Sequence, residues 1–283
     1  MSRRHRLVTI VFSHYNEKAR WALDYCGVDY EERRFMPGFS QLAVMLATNG
    51  KGGRPDAAST RFSTPVLITR DGDKLCDSTE IARWASAGLA HGGGGPLFPN
   101  AEVSKLVEHY SQQLGPHTRR AAYWHALRSK DALQRMGTAN VGAAQALAFR
   151  MMAPLGKALI KKALGVHEAG YVRSLAQVRE ELAEAGRRLE QTPYLAGEIF
   201  TAADLTFASL LAPVLLVSRA DGYGASLPAP TDFPAEAQEL VAEVRASRAG
   251  AFALEVFRRH RHGRVASRDG ASQDERREWN RID

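Results

Sequence analysis

The first apolar run of the chain, Leu7-Val8-Thr9-Ile10-Val11-Phe12, is rich in β-branched residues and predicts a buried strand. Directly after it, Ala19, Ala22, Leu23 and Cys26 recur at helical spacing, with Lys18 and Asp24 off that stripe. A helix with one buried face is expected, ending near Gly27 as its C-cap. Tyr30–Phe35 reads as a second, weaker strand, Pro37-Gly38 as a turn, and Phe39 to Leu46 as a short helix. Pro65 heads the β-branched run Val66-Leu67-Ile68-Thr69, Arg70-Asp71-Gly72-Asp73 is a hairpin turn, and Lys74-Leu75-Cys76 returns. Asp77 and Glu80 stand at capping-box spacing before a helix whose buried face is Ile81, Trp84, Ala85 and Gly88. The predicted order is βαβαββα.

Beyond a glycine-rich break at Ala90–Pro96 the pattern becomes helical throughout. Val103, Leu106, Val107 and Tyr110 share one face, and Tyr123, Trp124 and Leu127 add aromatic bulk. Ala144–Leu164 is helical, with an interruption expected at Pro154. Val172–Leu189 is amphipathic. Thr201 and Asp204 form a capping box with Phe200 and Leu205 at staple positions. The helix that follows, to Val217, is apolar almost all round and is expected at the centre of the core, bent at Pro213. Helices are also expected from Pro234 and over Ala251–Arg259. The chain therefore divides into an α+β unit over 1–90, a linker at 91–100, an all-α unit over 101–262 and a loose polar tail at 263–283.

Composition narrows the class. The 283 residues are 45% hydrophobic and 24% charged, as in a soluble globular protein, and no apolar run approaches the ~20 residues of a membrane span. The basic N-terminus is followed by a strand and shows no cleavage pattern. Two cysteines, Cys26 and Cys76, make no disulfide framework and are expected as free thiols in a reducing cytoplasm. The net charge of +7 favours acidic ligands or surfaces, part of it lies near the C-terminus, and no nucleic-acid motif accompanies it. Gly50-Lys51 lacks the rest of a P-loop. His260 and His262 lack a third ligand, so no metal is expected.

Candidate chemistry concentrates at three joints. Ser13 stands where the first strand hands over to a helix whose first N–H groups and dipole favour an anion; the alternative is that it only caps that helix. Thr64-Pro65 stands before the third strand, and Asp77-Ser78 at the next strand-to-helix joint. Read from the residues alone, Asp77 and Ser78 are accounted for by a helix cap. A Ser-His-Asp hydrolase built on Ser13 stays open, with no residue nominated as its base.

Ser13-His14-Tyr15-Asn16-Glu17-Lys18-Ala19-Arg20, Thr64-Pro65, Asp77-Ser78 and the Tyr194–Leu205 stretch together resemble the cytosolic glutathione S-transferases, most closely their serine-type members of theta, tau and zeta kind. Ser13 and Asn16 fall where glutaredoxins carry their two cysteines. The resemblance spans about Leu7 to His262 and implies a thioredoxin-like domain followed by an all-helical one. It implies that Ser13 donates a hydrogen bond to the thiolate of glutathione, and that Thr64, a cis Pro65 and the backbone of Val66 hold the cysteine. It further implies that Asp77 and Ser78 hold the γ-glutamyl end. A small hydrophobic electrophile would then lie between the domains, against Tyr15, Tyr110, Tyr123 or Trp124. Glutathione as co-substrate, a homodimer and a cytoplasmic location follow from the same resemblance. Two other readings remain open: a non-catalytic module that binds proteins or a membrane surface, for which the basic helix around Lys157–Lys162 leaves room, and a glutathione-dependent thiol reductase using Cys76.

Overall fold

Strand β1 (His5–Ile10) pairs parallel with β2 (Tyr30–Phe35) and antiparallel with β3 (Val66–Ile68), and β3 pairs antiparallel with β4 (Lys74–Leu75). The sheet order is β2-β1-β3-β4. Helices α1 (His14–Tyr25), α2 (Phe39–Ala47) and α3 (Ser78–Ala87) complete this unit. The computed structural model describes residues 4–53, 55, 60–88, 96–129 and 131–261, without the side chains of 152–155. The glycine break at 91–95, much of the 50–60 loop, His262 and the polar tail expected at 263–283 lie outside the described residues.

Strand β1 ends two residues earlier than the apolar run, because Val11 and Phe12, though buried, belong to the turn closed by Ser13 N–H donating to the Ile10 carbonyl at 2.9 Å. The second half is helical: α4 (Ala101–His109), a π-helical turn (Tyr110–Leu114), α5 (Gly115–Arg128), α6 (Ala132–Thr138), α7 (Ala143–Ala163), α8 (Glu168–Arg188), α9 (Ala202–Leu215), α10 (Ala235–Ala246) and α11 (Arg248–His260). The interruption expected at Pro154 does not occur. Helix α7 runs unbroken for 21 residues, long enough to absorb the single backbone bond a proline removes.

Helix α9 is the centre of the core, buried on every side as its composition requires. Its cap is assembled from inside. Asp204 accepts from the backbone N–H of Thr201 and of Leu195, both at 2.8 Å, which ties the preceding loop to the helix start. Burial pushes the Asp204 carboxyl up to about 6 against those hydrogen bonds, which pull it down.

Helix α1 departs from the one-sided expectation. It packs against α3 on one side and α9 on the other, so His14 through Leu23 are all buried, Lys18 and Arg20 included. The charges placed there are paired internally. Arg20 reaches Glu17 at 2.7 Å and Glu32 of β2 at 2.8 Å, and donates to the Val11 carbonyl at 2.6 Å. Arg261, just past α11, joins the same cluster through Glu17 at 2.8 Å and Asp24 at 2.9 Å. An ion-pair chain thus bolts the end of the helical unit to the first helix of the α+β unit.

That chain carries a pH dependence. Burial alone would raise the Glu32 carboxyl, but Arg20 and Arg34, with hydrogen bonds from Arg20 and Thr9, bring it down from 4.5 to about 2. A carboxyl lowered on folding contributes stability that is present above its unfolded value and lost as pH falls through the folded one. The melting temperature is expected to fall between about pH 4.5 and 2, and less steeply in Glu32→Gln. Asp204, raised on folding, acts with the opposite sign between about 4 and 6 and is common to both proteins. Parallel slopes for the two proteins in scanning calorimetry would remove Glu32 as the cause.

Candidate functional site

A cavity of about 480 Å³ opens between the sheet unit and the helices. One wall is polar and comes from three joints: Ser13 to Tyr15 at the β1–α1 turn, Ser63 to Pro65 before β3, and Cys76 to Thr79 at the β4–α3 turn. Facing it are Glu108, Ser111 and Gln112, then Arg119 and Tyr123 of α5. Met136, Ile160, Leu164, Val214, Leu240 and Val241 make another part of the lining apolar.

Ser13 is the N-cap residue of α1 by backbone geometry, with its carbonyl accepting from Glu17 N–H at 2.9 Å. Its side chain makes no capping bond, and among the described residues its hydroxyl has no hydrogen-bond partner. The capping role open to it in the sequence is therefore not the one its hydroxyl fills. That hydroxyl lies at a helix start, beside unpaired N–H groups, on the cavity wall.

The Thr64–Pro65 peptide bond is cis, and both residues line the cavity. Asn16 of α1 donates to Thr64 Oγ1 at 3.1 Å, holding this loop against the helix start. Val66 does not line the cavity. Its side chain is fully buried, and it opens β3 opposite Val8 in the sheet.

Asp77 caps α3, its Oδ1 accepting from the N–H groups of Thr79 at 2.7 Å and Glu80 at 3.0 Å. Glu80 answers from the other side, accepting from Cys76 N–H at 3.0 Å, one residue before the position a capping box would use. Ser78 is 1% exposed, and its Oγ has no partner among the described residues. A buried hydroxyl left unpaired at a cavity wall is costly unless a ligand completes it.

Residues 12–87 match the family model described as "Glutathione S-transferase, N-terminal domain". The whole chain is similar in fold to poplar glutathione transferase F1, at TM-score 0.52 and 14% identity, covering 90% of this chain and 98% of that one. A serine-to-cysteine variant of the same poplar protein matches at TM-score 0.53 and 15% identity, over the same shares. No curated protein matches the sequence. The architecture is that of the transferases: a thioredoxin-like unit followed by a helical one.

Of the aromatic residues expected around an electrophile, Tyr15 and Tyr123 line the cavity. Tyr110 is instead 1% exposed in the core, edge-on to Phe207, and Trp124 stacks on Tyr171. Helical spacing puts Tyr123 and Trp124 100° apart on α5, and only packing decides which one faces the cavity. Burial raises the Tyr123 hydroxyl to about 12, with Arg119 opposing, so it stays protonated at neutral pH. Tyr15 donates to the Ser111 carbonyl at 2.6 Å. That contact requires Gly115, where an added Cβ would lie 2.2 Å from the Tyr15 oxygen. His14 shares the wall, and its Nε2 meets the Gly115 carbonyl at 2.9 Å. Burial, then Arg119, lower it to about 3, so it is neutral.

Sequence reasoning missed Lys18, Thr79, Arg119 and the locating role of Asn16. The available signal was Glu17-Lys18-Ala19-Arg20 itself, three charges in four residues on a helix that the following apolar segments must cover. Both thiols are half-buried and shifted away from reactivity. Burial pushes Cys26 up to about 12, and burial with Glu80 raises Cys76, which alone of the two lines the cavity.

Proposed function

We propose that this protein binds glutathione along the Ser13, Thr64, Asp77 and Ser78 wall and transfers its thiolate to a small hydrophobic electrophile held against the apolar part of the cavity lining. The observation that carries this reading is the unengaged hydroxyl of Ser13 at the start of α1, on the same cavity wall as Asp77 and Ser78. The cavity's two chemistries suit the two substrates, a polar rim for a charged tripeptide and an apolar interior for its partner. A thiol reductase is disfavoured because burial keeps both cysteines protonated.

Binding is tested by titration calorimetry with reduced glutathione. The wild type is expected to bind at millimolar concentration or below. Asp77→Asn keeps an N-cap residue while removing the charge that would meet the ligand's ammonium, and is expected to weaken binding about tenfold. No heat from the wild type at millimolar ligand, or equal affinity in Asp77→Asn, would count against the reading.

A further inference from the structure

Lys18 is 0% exposed, yet among the described residues no carboxylate lies within ion-pair distance of it. Its ammonium instead donates to two hydroxyls, Thr79 Oγ1 at 2.6 Å and Ser111 Oγ at 3.0 Å, and both of those residues line the cavity. An ammonium has donors only, so each hydroxyl must accept with its oxygen and keep its own proton for another acceptor. Ser111 gives its proton to the Val107 carbonyl at 2.6 Å. Thr79 has no acceptor among the described residues. Beside it, the Ser78 hydroxyl is also unpartnered, and both residues belong to the first turn of the ten-residue helix α3. Two hydroxyl protons, a helix start and a buried positive charge therefore converge at one corner of the cavity.

We propose that Lys18 is a positioning residue for the carboxylate end of the ligand: it locks Thr79 as a hydrogen-bond donor and supplies the charge behind a carboxylate held by Thr79 and Ser78. The inference rests on the glutathione reading and identifies the group as the α-carboxylate of the γ-glutamyl residue. Lys18 touches the hydroxyls and leaves the ligand to them. The charged groups around it are Asp77 and Arg83 of α3 and Glu108 of α4. Burial lowers its ammonium to about 8; Asp77 and Glu108 oppose this and Arg83 adds to it. A bound carboxylate raises that value, so the contribution is full at neutral pH and fades as pH rises past 8.

The test uses S-methylglutathione, which has no thiol to ionise, and its analogue lacking the γ-glutamyl α-carboxylate. Lys18→Met is expected to weaken S-methylglutathione about tenfold and to leave the analogue unchanged. Thr79→Val, which removes only the hydroxyl, should do the same. Lys18→Arg should retain most of the affinity, and the ratio of wild-type to Lys18→Arg affinity should fall above about pH 8. A loss shared equally by both ligands, or by neither, means that Lys18 only braces α1 against α3 and overturns the proposal. Should Lys18→Met not fold, Thr79→Val and the pH ratio decide, and a flat ratio with unchanged Thr79→Val affinity overturns it. Failure of the wild type to bind S-methylglutathione removes the glutathione reading and this inference together.

Discussion

Ser13→Ala is expected to lower kcat/KM for conjugation of an aromatic electrophile by about ten- to a hundredfold, which is ~1.4–2.7 kcal/mol of transition-state stabilisation. The magnitude follows from what a hydroxyl at a helix start can do. A free thiol titrates near ~8.5, and holding it as thiolate at neutral pH takes a shift of about two units, or roughly 2.7 kcal/mol. A charge-assisted hydrogen bond supplies ~1.5–3 kcal/mol and a helix N-terminus ~0.3–1 kcal/mol more. The Ser13 hydroxyl meets both conditions, since it faces the cavity at the first turn of α1 and is not spent on capping. Glutathione affinity should change little, because Thr64, Asp77 and Ser78 hold the rest of the peptide on the proposed reading. The bound thiol's apparent pKa, followed by thiolate absorbance, should rise toward its free value. Cys26→Ala and Cys76→Ala should both conjugate normally. Loss of activity in Cys76→Ala with retention in Ser13→Ala would replace the serine assignment with redox chemistry.

Arg261→Met is expected to be strongly destabilising, because it breaks the link that the ion-pair chain makes between the two units. Arg261 and Glu17 are both fully buried, 2% and 0% exposed in their side chains, and the arginine also holds Asp24. Burial by itself raises the Glu17 carboxyl; Arg261 and Arg20 reverse this and lower it, so the site is built to keep Glu17 ionised. Removing one cation leaves a buried carboxylate short of a partner, which costs about 3–5 kcal/mol. For a chain of this size that corresponds to a fall in Tm of about 10 °C. Arg179→Met is the control. It breaks a two-bond ion pair with Glu243, at 2.7 Å for each bond, but both side chains are about half exposed and solvent screens them. Its cost should stay below ~1 kcal/mol. Equal melting temperatures for the two variants would mean that the buried chain does not hold the two units together. A fall confined to Arg261→Met, with faster amide exchange in the first turns of α1, is the expected pattern.

Local patterns in the chain determined most of the secondary structure. The alternation of apolar runs, Pro65, the Gly72 turn and the Asp77–Glu80 spacing each act within a few residues, so β2, α2, β4 and α3 lie where their residues place them. The same holds for α9, whose composition admits no exposed face, and for its Thr201–Asp204 cap. The three joints of the polar wall were legible for that reason: each is a strand end or helix start that the local sequence marks. Distant packing decided the rest. Whether α1 has one buried face or none depends on α3 and α9, which lie far along the chain, and its four charges are stable inside only because Glu32, Arg261 and the Thr79 and Ser111 hydroxyls arrive to receive them. Tyr123 reaches the cavity while Trp124 turns to Tyr171, and the Val66 side chain is buried while Thr64 stays on the wall. A side chain's periodicity records that it faces something; which neighbour fills that space is set by close packing between elements that meet only in the folded chain.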